Sequence, residues 1–151
     1  MDKSSISGSE KQHELNPRWF TGQTWAKNIS SDIGADKQDI YHVHFEHGAR
    51  TKLHRHNGSQ ILIVTEGRGS LVTYDTDEST EDAGFNITVR KTTPLMSGDV
   101  VFIPAQVLHT HGSVDDSVTF SHIAINNHPC GVGEYVTEWY NTKNGTATDR
   151  I

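Results

Sequence analysis

From Ile40 onward the chain alternates short runs of β-favouring residues with turn residues about every eight to twelve positions. That spacing leaves no room for the crossover helices of a parallel sheet, so it points to an antiparallel sandwich or barrel. The runs are Ile40–Glu46, Thr51–His56, Gln60–Thr65, Gly69–Tyr74, Phe85–Lys91, Asp99–Ile103, His109–Gly112 and Val118–Asn126. Asn57-Gly58-Ser59 separates two of them and is a hairpin signal. No stretch keeps an i, i+3, i+4, i+7 apolar stripe for three turns, although Tyr135–Tyr140 reads as a short helix or a last strand. The fold class is therefore all-β, an antiparallel barrel. Residues 1–16 are polar and aperiodic and read as a flexible tail, with one domain over 17–151 that begins near Trp19.

The charge balance narrows the partners. Lys and Arg number 13 against 19 Asp and Glu, a formal net charge of −6, and no basic stripe is present to hold nucleic acid or an anionic membrane. No run approaches the length of a membrane span, and Met1–Leu15 lacks the pattern of a signal peptide, so a cytoplasmic protein is expected. The lone Cys130 forbids an internal disulfide and any CxxC motif. The Pro-Cys-Gly setting of Cys130 reads as a turn, and no G-x-S-x-G elbow offers a seryl nucleophile. Asp75–Gly84 holds five acidic side chains and reads as a solvated loop, with a lid as the sharper alternative.

Histidine is the unusual entry, with ten residues. His54 and His56 lie two apart in one run, so their side chains leave the same sheet face about 6.6 Å apart along the backbone. Gln60 follows the Asn57-Gly58-Ser59 turn, which returns the chain beside them. His109 and His111 form a second His-x-His pair after Gly98–Pro104, and a closed barrel can set such distant strands face to face. Histidines clustered inside a small barrel each need a polar partner. A first-row divalent ion is such a partner, and it suits three imidazoles with an oxygen ligand. His111 shares the face of His109, either as an alternative ligand or as an acid or base near neutral pH. His122 shares the parity of Phe120 and is expected inward. His42 and His44 have the parity opposite to Tyr41, Val43 and Phe45 and are expected outward.

Gly48-x5-His54-x-His56-x3-Gln60-x6-Gly67 resembles the first cupin motif, and Gly98-x5-Pro104-x-Gln106-x2-His109-x3-Ser113 the second. The resemblance covers roughly Trp19 to Tyr140. It implies a jelly-roll barrel, often a homodimer or higher homo-oligomer, with a metal bound by His54, His56, Gln60 and His109. Gln60 stands where the family usually has glutamate. A neutral amide weakens ion binding, leaves the ion a stronger Lewis acid and disfavours its oxidised state. Gln106 and Ser113 also depart from the usual glycine and asparagine, which affects loop shape.

Four strings, Trp19–Gly22, Phe45–Thr51, Gln60–Thr65 and Ser121–Ile125, resemble small bacterial cupins that include manganese-dependent hydroxynitrile lyases, where histidines matching His111 and His122 line the cavity. The resemblance implies a metal-dependent enzyme, with Mn(II) first and Fe(II), Zn(II) or Ni(II) as other ions. It implies lyase chemistry on a small molecule, with His111 or His122 moving a proton. The alternatives are an Fe(II) dioxygenase and a non-catalytic cupin that binds a metal or small ligand. Trp19, Phe20, Trp25 and Trp139 are expected to form a subunit contact rather than to cover the barrel opening.

Overall fold

A computed structural model describes residues 2–8, 10–77, 84–130 and 133–151. Most of the acidic stretch within Asp75–Gly84 lies outside the described residues. The strands are β1 (His13–Glu14), β2 (Phe20–Thr21), β3 (Thr24–Asn28), β4 (Gln38–Phe45), β5 (Arg50–Thr51), β6 (Leu53–His56), β7 (Gln60–Thr76), β8 (Phe85–Met96), β9 (Val100–Ile103), β10 (Leu108–Ser113), β11 (Phe120–Asn127), β12 (Thr137–Lys143) and β13 (Thr146–Arg150), with one helical turn, α1 (Ser30–Ile33). All strand pairs are antiparallel. No helix among the described residues is long and apolar enough to cross a membrane.

Two layers share β7. Its first half pairs with β11 and β9 in the layer β1-β3-β4-β11-β7-β9, and its second half pairs with β10 and β8. The sequence divides this strand into two runs, Gln60–Thr65 and Gly69–Tyr74, on either side of Gly67. Gly67 instead lets one strand bend through both layers at φ 75°, where a Cβ would lie 2.0 Å from the Thr119 carbonyl oxygen. In the second layer the pairings β7–β8–β13–β12–β6–β10–β7 form a closed circuit, in which β13 reaches only the start of β8.

Between the layers lies the main core, with Phe45, Leu62, Val64, Ile103 and Phe120 at its centre. A second cluster of Leu53, Phe85, Leu108, Tyr140 and Ala147 packs separately. Strand alternation explains the division: Leu53 and Leu108 turn one way while His54, His56, His109 and His111 turn the other. The histidines are buried for this reason, since apolar packing covers the back of their own strands.

Tyr135–Tyr140 resolves as the start of β12 rather than a helix, and β13 follows it as a hairpin. Asn57 pins the chain just before β12: its N–H donates to the Val136 carbonyl (3.1 Å), its Oδ1 accepts from the Val136 N–H (2.8 Å), and its Nδ2 donates to the Glu134 carbonyl (3.0 Å). Pairing also extends ahead of Trp19, where β1 sits on β3 and the Leu15 N–H donates to the Thr24 carbonyl, with Leu15 packed against the core.

Candidate metal centre

His54 stands directly opposite two residues, His109 on β10 and Trp139 on β12. This double pairing sets the centre, because it stacks rings from three strands around one position. Ring centroids lie 4.2 Å apart for His54–His109, 4.9 Å for His54–His56 and 5.3 Å for His56–His109. Trp139 lies over His54 at 4.3 Å, and Trp19 stacks in turn on Trp139 at 5.4 Å. Trp19, Phe20 and Trp139 line the cavity, their rings packing on one another and, through Trp139, on His54.

Each polar side chain of the cluster is held on one side and open on the other. His54 Nδ1 donates to the Lys52 carbonyl (2.8 Å) and His109 Nδ1 to the Val107 carbonyl (2.7 Å), both two residues back in the chain. Carbonyls only accept, so the neutral rings carry their protons on Nδ1 and keep a lone pair on Nε2. His56 Nδ1 lies 2.8 Å from Thr137 Oγ1, and Gln60 Nε2 donates to Asn126 Oδ1 (2.8 Å). Nε2 of His56, Nε2 of His109 and Oε1 of Gln60 are left buried with no hydrogen-bond partner. His109 Nε2 and Gln60 Oε1 are acceptors whatever the tautomer of His56, and together they fit a cation, because a buried lone pair without a donor is otherwise a cost of about 1–3 kcal/mol each.

Burial also fixes protonation. It holds His56 down to about 3, with the His109 charge adding to it and the Gln60 side chain opposing it, and His109 down to about 4. His54 is pushed well below its ordinary value, first by burial and then by His109 and His56. At neutral pH all three are uncharged, the form that binds metal.

His111 joins the same cluster, 5.4 Å from His54 and 5.7 Å from His109. The ligand nitrogens of His54, His109 and His111 all fall within 4.8 Å of one another. The expected set, in which His56 with Gln60 alongside joins His54 and His109, is related only by its ring centroids and does not share this close approach of nitrogens, so it and the His111 triad overlap at two histidines. His122 faces inward as expected and its Nε2 lies 3.1 Å from His111 Nδ1. The expectation that His111 titrates near neutrality is corrected: burial drives it well below its usual value, with His122 and His54 adding to the effect, and burial holds His122 at about 3. Both rings are neutral at pH 7, with one N–H shared between them.

The cluster opens on a cavity of about 500 Å³. His54, His56, Gln60, His111 and His122 line it, while Phe20, Ala26, Val43 and Phe45 supply an apolar part of the wall. Neither Lys nor Arg is among its lining residues, and its one acidic side chain, Asp39, pairs with His128 Nε2 at 3.0 Å.

His42 and His44 stay off the cavity, bonded to Thr65 Oγ1 on β7 (3.3 Å) and Ser121 Oγ on β11 (2.6 Å). Cys130 is exposed. Sequence reasoning missed Thr137 and Asn126 because each is polar on a half-buried strand and only strand pairing brings it to the site.

A family model described as Cupin matches residues 38–141. No curated protein matches the chain. Among solved structures, a cupin-like protein from Thermotoga maritima is 34% identical, with 88% of this chain and 87% of that chain covered and a TM-score of 0.65. A cupin superfamily protein from Desulfitobacterium hafniense is 16% identical, with 71% and 79% covered and a TM-score of 0.54. The oxalate decarboxylase of Bacillus subtilis, a protein with Mn(II) centres, is 17% identical at a TM-score of 0.56, and the match covers 77% of this chain but 27% of that one.

Proposed function

The chain belongs to the cupin family, and from that premise we propose that it is a metal-dependent enzyme of the lyase type, acting on a small oxygen-bearing molecule. His54, His56, Gln60 and His109 would hold a divalent ion, Mn(II) in the first instance. The observation that carries this reading is the set of unpartnered polar atoms, His56 Nε2, His109 Nε2 and Gln60 Oε1, buried in one cluster. The ion would supply Lewis acidity toward an oxygen of the ligand, undiminished by the neutral Gln60.

The remaining work falls to the chain's own side chains. Phe20, Val43, Phe45 and Trp139 exclude water from the apolar part of the cavity and receive the body of the substrate. The neutral His111–His122 pair has an acceptor nitrogen and an N–H within one hydrogen bond, so it can take up a hydroxyl proton and return one. The reaction type we infer, carbon–carbon cleavage of a cyanohydrin or hydroxy-carbonyl compound, rests on the resemblance of the strings Trp19–Gly22, Phe45–Thr51, Gln60–Thr65 and Ser121–Ile125 to manganese-dependent hydroxynitrile lyases. The neutral Gln60 disfavours an oxidised ion and so speaks against an Fe(II) dioxygenase.

Elemental analysis and EPR of protein purified without added metal test the first half of this reading, and cleavage of a cyanohydrin panel tests the second. Oxygen consumption with those substrates, or protein that takes up no divalent ion, would overturn it.

A further inference from the structure

The two ligand-bearing motifs do not contain everything that orients their histidines. His54 and His109 are each fixed by a backbone carbonyl two residues back, a partner that only accepts and so dictates the tautomer. His56 is different. Its Nδ1 meets a hydroxyl, Thr137 Oγ1, at 2.8 Å, and a hydroxyl can donate or accept. If Thr137 donated, the proton of neutral His56 would sit on Nε2, toward the Gln60 side chain, in a ring unable to ligate. If Thr137 accepts, Nε2 carries the lone pair.

We propose that Thr137 is a positioning residue of the metal centre, its hydroxyl accepting the Nδ1 proton of His56 and so presenting the His56 Nε2 lone pair to the ion. This deepens the reading of the site given above and rests on it. The placement is built from several directions. Thr137 is the register partner of His56 across the β12–β6 pair. Three hydrogen bonds with Asn57, two donated and one accepted by it, fix the chain immediately before it. Tyr135, from the same segment, stacks on the His56 ring at 4.9 Å. With strand and ring held independently, the hydroxyl is left to set the proton's position rather than the strand's. Outer partners of metal-bound histidines act this way in general, and losing one typically weakens metal affinity by about 10–100-fold.

The test uses full-length protein with Thr137→Val, which keeps the β-branched shape and removes the hydroxyl, and Thr137→Ser, which keeps the hydroxyl. In metal-free protein, ¹⁵N shifts of the His56 ring report its tautomer. The wild type and Thr137→Ser are expected to carry the proton on Nδ1, with Thr137→Val shifted toward Nε2–H. Mn(II) titration followed by EPR is expected to show about 10–100-fold weaker binding for Thr137→Val and near-complete rescue in Thr137→Ser. A wild-type His56 with its proton on Nε2, a tautomer unchanged in Thr137→Val, or failure of serine to rescue would overturn the assignment. Wild-type protein that takes up no Mn(II) would instead remove the proposed function, and the tautomer measurement would still decide what Thr137 does to His56.

Discussion

His122 Nε2 lies 3.1 Å from Nδ1 of His111, with both rings buried and Phe45 packed against each. The pair leans on the ligand cluster through His111 alone, since His111 approaches His54 and His109 while His122 reaches the cluster only through that bond. The two positions should therefore separate on substitution. His122→Ala is expected to keep its metal and lose about 100-fold or more in turnover, the range for removing a general acid or base. Metal analysis and kinetics on the same sample check this, and undiminished turnover would remove the pair from the mechanism.

The overlapping triads make a second, sharper comparison. With His54, His56, Gln60 and His109 as ligands, His56→Ala and His109→Ala should each lose bound metal while His111→Ala retains it. The reverse pattern, loss in His111→Ala and retention in His56→Ala, would give the site to the other triad, whose nitrogens lie within 4.8 Å of one another. Gln60→Glu should bind Mn(II) more tightly, because a carboxylate replaces a neutral oxygen beside the cation, and should lower its Lewis acidity. Competitive titration against a chelator measures the first effect.

The strand pattern was readable because sheets with one buried face write their alternation into the sequence. Leu62 and Val64 on β7 and Phe45 on β4 follow it plainly. The two His-x-His pairs were readable for the same reason: a period of two puts both rings on one face. The supporting groups were not. Thr137 and Asn126 reach His56 and Gln60 across strand pairings of 81 and 66 residues in sequence separation, and no local pattern marks such partners. The protonation of His111 was hidden too, because burial is a property of the assembled layers. Gly67 misled in the opposite sense, since a glycine that relieves a bend looks the same in sequence as one that ends a strand.

That bend is itself testable. Gly67 combines a φ of 75° with a would-be Cβ position 2.0 Å from the Thr119 carbonyl oxygen, a backbone atom that cannot swing aside. Gly67→Ala is expected to destabilise the fold by roughly 2–4 kcal/mol through strain and displacement of the β7–β11 junction. Gly98→Ala serves as the comparison, because φ is 94° there but nothing lies within 4 Å of the added methyl, so only the conformational strain should appear. Urea unfolding of the pair separates the two effects, and equal losses would show that the close approach at Gly67 is readily relieved.

Acid should unfold the metal-free protein earlier than a chain without buried imidazoles. Burial holds His56 and His122 at about 3 and His109 at about 4, against roughly 6.5 in the unfolded chain. The folded values are depressed, so below about pH 6.5 the unfolded state takes up protons that the folded state does not. The stability of these sites is complete above that pH and is lost progressively as pH falls toward the folded values. Each group costs up to about 1.4 kcal/mol per pH unit within that window, so three together amount to roughly 2–4 kcal/mol between pH 6.5 and 5.5. Urea midpoints at pH 7.5 and 5.5 measure the loss, and His122→Phe, which removes one titrating ring, should flatten the dependence. Bound Mn(II) should raise the midpoint at pH 7.5 by mass action and steepen its fall on acidification, as protons compete for the ligand nitrogens. A metal-free midpoint that is level across this range would mean that these rings become charged within the folded protein, contrary to their burial beside one another.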